Sequence, residues 1–217
     1  MTPPPTTWSE HESKRLLAQH GVAVAAERLV ASGDEAGAAA DELGYPVVAK
    51  LCGRAIAHKT ERGLVRLALG DRSAVEAAAA DLLAAAEPDD GDVGVLIAEM
   101  VSGRRELIVG VAIDEQFGPS LMLGIGGIFA EALADVTFRL LPISESDAMS
   151  MIDDLTTQAL LGVFRGEVAV DRRAVATALL AVASAAGAVE GLESIDVNPL
   201  IVVDGRPVAV DALVVTR

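Results

Sequence analysis

Residues 194–215, SIDVNPLIVVDGRPVAVDALVV, leave this chain few choices of fold. Two runs rich in β-branched residues flank Asp204-Gly205, and Asp-Gly is a strong two-residue hairpin signal because both positions tolerate positive φ. A two-residue loop sets Asn198 opposite Asp211 and leaves Asp196 on the same face, since strand side chains alternate with a period of two. Opposed Cβ atoms in such a ladder stand roughly 4.5–5.5 Å apart. Three oxygen-bearing side chains then converge in an otherwise apolar hairpin, and a hard cation such as Mg²⁺ suits such donors. The competing reading has Asn198 capping a turn before Pro199, with both aspartates solvated. Register decides between the two, because a three-residue loop would turn Asp211 to the other face, and Pro207 close to the turn disfavours a regular ladder.

Upstream, short apolar runs alternate with alanine-rich segments. Ser9 and Glu12 form a capping-box pair for a helix over 10–20 that Gly21 ends. A strand over 22–24, a helix over 34–43 stopped by Gly44, and strands over 45–51 and 63–69 follow. A helix from Ser73 to about 86 and a buried strand over 93–101 complete the first hundred residues. The second half reads as strands over 105–114, 120–127 and 135–143. Helices over 144–154, 155–162 and 171–188 then lead into the hairpin. The expected class is α+β with two connected lobes. Residues 1–8 read as a loose tail, 9–102 as an N-terminal helix and small lobe, and 103–217 as a larger lobe, with the break near Val101-Ser102-Gly103.

Charge narrows the partners. The net charge of −15 opposes binding to nucleic acid or an anionic membrane. Yet residues 50–66 hold Lys50, Arg54, Lys59, Arg62 and Arg66 against the one acid Glu61. Two of the three lysines and one of the three histidines, His58, fall in this stretch. Such an island suits a small polyanion such as a nucleotide phosphate, and a solvated loop is the plainer alternative. The single cysteine, Cys52, leaves no internal disulfide and reads as a buried small residue. No apolar run reaches the roughly 20 residues of a membrane span, and the MTPPPTT start lacks the features of a signal peptide, so a cytoplasmic protein is expected. The glycines of GIGG (124–127) do not make a dinucleotide fingerprint, and no Walker A pattern occurs. His11 and His20 offer no defensible nucleophile–base pairing.

An ordered series of segments resembles one family. YPVVAK, HKTERGLVRL, GRRELIVG, FGPSLMLGIGGIFAEALADVTFRLLP, LLGVFRG and IDVNPLIV with AVDA match the ATP-grasp β subunit or domain of NDP-forming acyl-CoA synthetases, in the family's order from Ser9 onward. The nearest type is ADP-forming acetyl-CoA synthetase. The resemblance implies an ATP-grasp fold that holds ATP or ADP between two α+β lobes, with Mg²⁺. It assigns Lys50 to the nucleotide phosphates, with the cation Lys59 near them. Glu99, Met100 and Val101 match the hinge beside adenine, and Glu106 the acid near the ribose or outer hinge. Gly126 and Gly127 match the segment passing the phosphates, which Glu131 completes. Asn198 and Asp211 match metal ligands, and Asp196 a carboxylate close to metal and phosphohistidine.

The implied reaction interconverts acyl-CoA, ADP and phosphate with a carboxylic acid, CoA and ATP. An α-type partner subunit would carry the CoA-binding and ligase domains and bring acyl-CoA and phosphate. His58 matches a second phosphoryl carrier proposed in some members, beside the reading of a neutral, phosphate-contacting or turn-stabilising histidine. One departure stands out: where the family often has two consecutive glycines, Gly63 is preceded by Arg62 and followed by Leu64. A stand-alone ATP-grasp carboxylate ligase and a nucleotide-sensing subunit with weak catalysis are the alternative functions.

Overall fold

Apolar alternation along the chain resolves into two β-sheets, each covered on one face by a pair of helices. The computed structural model describes residues 5–56, 59–127, 134–163 and 166–217. Its strands are β1 (Thr6–Thr7), β2 (Glu27–Val30), β3 (Val47–Gly53), β4 (Val65–Leu69), β5 (Val93–Glu99) and β6 (Glu106–Asp114). They continue with β7 (Gly118–Ile125), β8 (Val136–Leu140), β9 (Leu192–Val203), β10 (Arg206–Ala209) and β11 (Ala212–Thr216). The helices are α1 (Glu10–Gln19), α2 (Gly33–Leu43), α3 (Arg72–Ala84), α4 (Glu145–Asp153) and α5 (Arg172–Ala188). Among the described residues, no helix is long and apolar enough to cross a membrane.

The chain divides into two compact units, one of Thr7–Glu12 with Ala25–Met100, the other chiefly Ser13–Val24 with Val101–Arg217. The first holds an antiparallel sheet in the order β2-β5-β3-β4. Strand β3 is buried along its length, so both faces of the sheet are covered there. Val47, Ala49 and Leu51 meet the apolar residues of α2 and α3, notably Ala36, Ala40, Ala79 and Leu82. Full burial of a side chain such as Leu82 contributes about 1.5–3 kcal/mol. By the period of two, Val48, Lys50 and Cys52 face the other way. Helix α2 starts where Ser32 accepts the Glu35 N–H and ends at Gly44, whose φ of 86° suits glycine. Asp71 caps α3 by accepting the Ala74 N–H at 2.9 Å.

The second unit holds the sheet β1-β11-β9-β6-β7-β8, with β10 also paired to β9. Leu107, Val109, Val111, Leu121, Leu123, Ile195 and Val197 are buried toward α4 and α5. The alternate residues point to the face without helices, where Phe138 and Leu140 are more than half exposed. Arg105, itself buried, ties down a loop by donating to the carbonyls of Gly162 (3.0 Å) and Val168 (2.5 Å) and bonding Glu167 (3.0 Å).

Four expectations change. Residues 22–24 form only an isolated bridge, Val24 with Ala209, and the strand lies at β2, whose ERLV has little apolar signal and sits at a sheet edge. Residues 155–162 are not an α-helix: a 3₁₀ turn covers Gln158–Leu160. Asp135 takes the Thr156 and Thr157 N–H groups at 2.9 and 2.7 Å, and the Gln158 amide donates to the carbonyls of Ile152 and Leu155. Those bonds replace a helical ladder. Helix α3 starts one residue before Ser73 because Asp71 is the stronger cap. The run 207–215 splits into β10 and β11 at Val210, which lies opposite Pro199, a residue with no N–H to give the ladder.

Candidate functional site

The C-terminal hairpin has the register that a two-residue loop requires. Arg206 pairs with Val203 and Ala209 with Leu200, and beyond the break Ala212 pairs with Val197 and Leu213 with Asp196. Asn198 is therefore level with Asp211. Asp204 and Gly205 have φ of 48° and 82°, the left-handed values that the tight turn needs. Ile195 and Val197 are buried while Asp196 and Asn198 are exposed, so the two polar side chains share the helix-free face. The protein packed around Asp196 and the charge of Asp211 push the Asp196 carboxyl above its ordinary range. Among the described residues no three His, Cys, Asp or Glu side chains gather as a metal cluster. The donors here are two carboxylates and an amide, a hard-oxygen set that fits Mg²⁺, which commonly binds through one or two carboxylates with substrate phosphates and water.

In the other unit, β3 brings Lys50 to the sheet face away from α2 and α3, where it is only 8% exposed. Its ammonium lies 2.7 Å from Glu10 Oε1, and Lys59 donates to Glu10 Oε2. Glu10, the first residue of α1, is buried. Lys50 and Lys59 are thus brought together through one carboxylate that comes from forty residues upstream. Sequence reading missed Glu10, because nothing in its neighbourhood marks it apart from an ordinary acid in a first helical turn. Cys52 is buried nearby, and burial pushes its thiol above the usual range.

Most of the basic island turns out to be partnered by acids. Glu12 takes Arg54 through Nε and Nη2, and that bond lowers Glu12 to about 2. Arg62 makes a bidentate pair with Asp90, at 2.7 and 2.9 Å, which lowers Asp90 to about 2. Arg66 donates to the carbonyls of Gly63 and Val65. The excess positive charge visible in the sequence is therefore largely balanced by residues outside the stretch. Leu64, which follows Gly63, is 2% exposed and belongs to the core under α2 and α3. Its N–H bonds Lys59 at 2.8 Å, closing a turn in which Gly63 has a φ of 66°.

Glu99 ends β5, and its side chain accepts the Ala26 N–H at 3.2 Å; the Met100 N–H goes to the Pro46 carbonyl. The chain passes from one unit to the other between Met100 and Val101. Glu106 opens β6 and its carbonyl accepts the Gly126 N–H at 2.7 Å. A Cβ at Gly126 would stand 3.1 Å from Glu106 Cβ, so glycine permits this approach. Gly127 follows with a φ of 82° beside the Glu106 carboxylate. His58 and Glu131 lie outside the described residues. A cavity of about 630 Å³ between α5 and the Leu141-Pro142-Ile143 segment is apolar, and none of the candidate residues lines it.

Two β-sheets with helices on one face of each, in two units between which the chain passes more than once, define the class. The chain belongs to the ATP-grasp domain family, which matches residues 4–216. Within that nucleotide-binding family it is a homologue of the β subunits of ADP-forming acetyl-CoA synthetases. It is 38% identical over 201 residues to the acetate–CoA ligase [ADP-forming] II β subunit of Pyrococcus furiosus, covering 91% of this chain and 85% of that subunit. It also resembles a chain of the Korarchaeum cryptofilum acetyl-coenzyme A synthetase 1, solved with coenzyme A and Ca-AMPCP. There the TM-score is 0.90 and the identity 34%, over 98% of this chain and 94% of that one. A further structure of that enzyme, with coenzyme A and Mg-AMPPCP, has its phosphohistidine segment pointing towards the nucleotide-binding site. Its TM-score is 0.83 at 34% identity, covering 96% and 92% of the two chains.

Proposed function

We propose that this chain is the nucleotide-binding subunit of an ADP-forming acyl-CoA synthetase, interconverting acyl-CoA, ADP and phosphate with a carboxylic acid, CoA and ATP alongside an α-type partner. The observation that carries the reading is the correspondence to β subunits over nearly the whole of both chains. Lys50 and Lys59 bind the nucleotide phosphates, with Lys50 acting as a point charge on a flexible stem. Glu99, Met100 and Val101 lie along the adenine, Glu106 beside the ribose, and the backbone of Gly126 and Gly127 beside the phosphates. Asn198 and Asp211 hold Mg²⁺, which supplies charge neutralisation to the phosphates when bound. Asp196 orients the incoming phosphohistidine of the partner, and His58 serves as a second carrier of the phosphoryl group.

In the transfer step the P–N bond of a phosphohistidine breaks as a bond forms to a terminal oxygen of ADP. Such a transfer needs positioning and electrostatic stabilisation more than covalent help from the protein. The assay is ATP formation by the chain mixed with its candidate α-type partner, acyl-CoA, ADP, Mg²⁺ and phosphate. ATP should form with at least one acyl-CoA of a broad panel, and Asp211→Ala should abolish it without unfolding the chain. No ATP across the panel would refute the reading, and full activity of Asp211→Ala would refute the metal assignment.

A further inference from the structure

We infer that Glu10 is a positioning residue for catalysis: it aligns the ammonium groups of Lys50 and Lys59, an inference that rests on the phosphate role proposed above for these lysines. A carboxylate is rarely buried unless it is well paired, and the Glu10 side chain is 2% exposed. Each of its oxygens takes a different lysine, Oε1 receiving Lys50 at 2.7 Å and Oε2 receiving Lys59. The lysine side chains are themselves only 10% and 13% exposed. One strand and the turn beyond it thus present two cations whose separation is set by the width of one carboxylate.

Glu10 is in turn held firmly. It opens α1, and the reciprocal bonds of Ser9 and Glu12 close the capping box around it, with Ser9 N–H to Glu12 Oε2 at 3.0 Å and Glu12 N–H to Ser9 Oγ at 3.3 Å. The next residue, His11, is fixed by a 2.9 Å contact with Glu27. A lysine ammonium carries three donors, so a bond to Glu10 does not use up its capacity to hold an anion. Lysine is otherwise a long, mobile side chain, and two ammonium groups left near one another would repel.

Removing the charge of Glu10 should therefore act on alignment and not on attraction. Coulomb's law makes the pair more attractive to phosphate without the carboxylate, while the loss of a fixed geometry lowers the rate of the transfer step. A purely structural ion pair would show neither effect once each preparation is normalised to its nucleotide-binding sites.

The test uses the chain complexed with its α-type partner. It measures the ADP dissociation constant by calorimetry and kcat for ATP formation per ADP-binding site, for wild type, Glu10→Gln, Glu10→Asp, Lys50→Met and Lys59→Met. The lysine variants should weaken ADP binding about tenfold or more. Glu10→Gln should keep the ADP constant within about threefold of wild type, or tighter, while kcat falls about tenfold or more. Glu10→Asp, which keeps the charge at a shorter reach, should fall in between. A Glu10→Gln kcat within twofold of wild type overturns the inference, as does a loss of ADP affinity that parallels Lys50→Met. Should Glu10→Gln fail to fold, Glu10→Asp decides, and a wild-type kcat in that variant overturns the inference. Unchanged ADP binding in both lysine variants sinks the phosphate role itself; weakened binding there with an unaffected Glu10→Gln sinks the Glu10 inference alone.

Discussion

Arg62 shows how a charge that reads as a ligand in the sequence becomes a strut in the fold. It sits in the most basic stretch of an acidic chain, yet its guanidinium is spent on the buried carboxylate of Asp90. Bidentate arginine–carboxylate pairs are among the stronger polar contacts because two aligned N–H groups serve one planar acceptor. The bond to Arg62 holds Asp90 down to about 2, against an ordinary 3.8, with the Glu87 N–H helping. A depressed carboxyl stabilises the fold above its unfolded pKa and loses that contribution as pH falls through the folded value. Asp90→Asn should thus be less stable than wild type at pH 7, and the gap should close as pH drops from about 4 to about 2. Urea unfolding across that range checks this, and a gap independent of pH would exclude the Arg62 pair as its source. At the same scale Leu64 has a local role of its own. It anchors the end of the turn in the core, and Gly63 alone supplies the positive φ that the turn needs.

Elements were legible where their ends carry local chemistry. Helix α1 starts and stops within a residue of expectation because Ser9, Glu12 and Gly21 act on backbone groups only a few residues away. Ser9→Ala should cost about 1 kcal/mol in denaturant unfolding, since it strips the Glu12 N–H of its side-chain acceptor and Glu12 Oε2 of the Ser9 hydroxyl. No loss would show that tertiary packing alone holds that turn. The hairpin was legible for the same reason, Asp204-Gly205 dictating the pairing on both sides of the break at Val210. Helix α5 was also recognised to within a residue, and Asp171 caps it by accepting the Arg173 and Ala174 N–H groups. The segment 155–162 was misread because its helix-forming residues lose to Asp135, some twenty positions upstream, which claims two of its N–H groups. Strand β2 was missed because an edge strand needs few apolar residues, and pairing with β5 supplies what its composition does not.

For the molecule as a whole, the fold class followed from the alternation of short apolar runs with alanine-rich segments, and the family from motifs in a fixed order. The chain by itself is expected to bind ADP measurably in calorimetry and to form no ATP until the α-type partner is added. ATP formed by the isolated chain would favour a stand-alone ligase, and tight binding with no transfer even beside the partner would favour a nucleotide sensor. The sequence by itself determined the Ser9–Glu12 cap, the stops at Gly21 and Gly44, the hairpin register and with it the shared face of Asp196, Asn198 and Asp211. Each of these depends on backbone groups a few residues apart or on the strict period of a strand. Only the tertiary structure decided which acid meets which cation. Glu10 reaches Lys50 and Lys59, and Asp90 reaches Arg62, across 28 to 49 residues of chain. An ion pair has no sequence period, so an excess of positive charge in one stretch says nothing of the carboxylates that folding will bring to it.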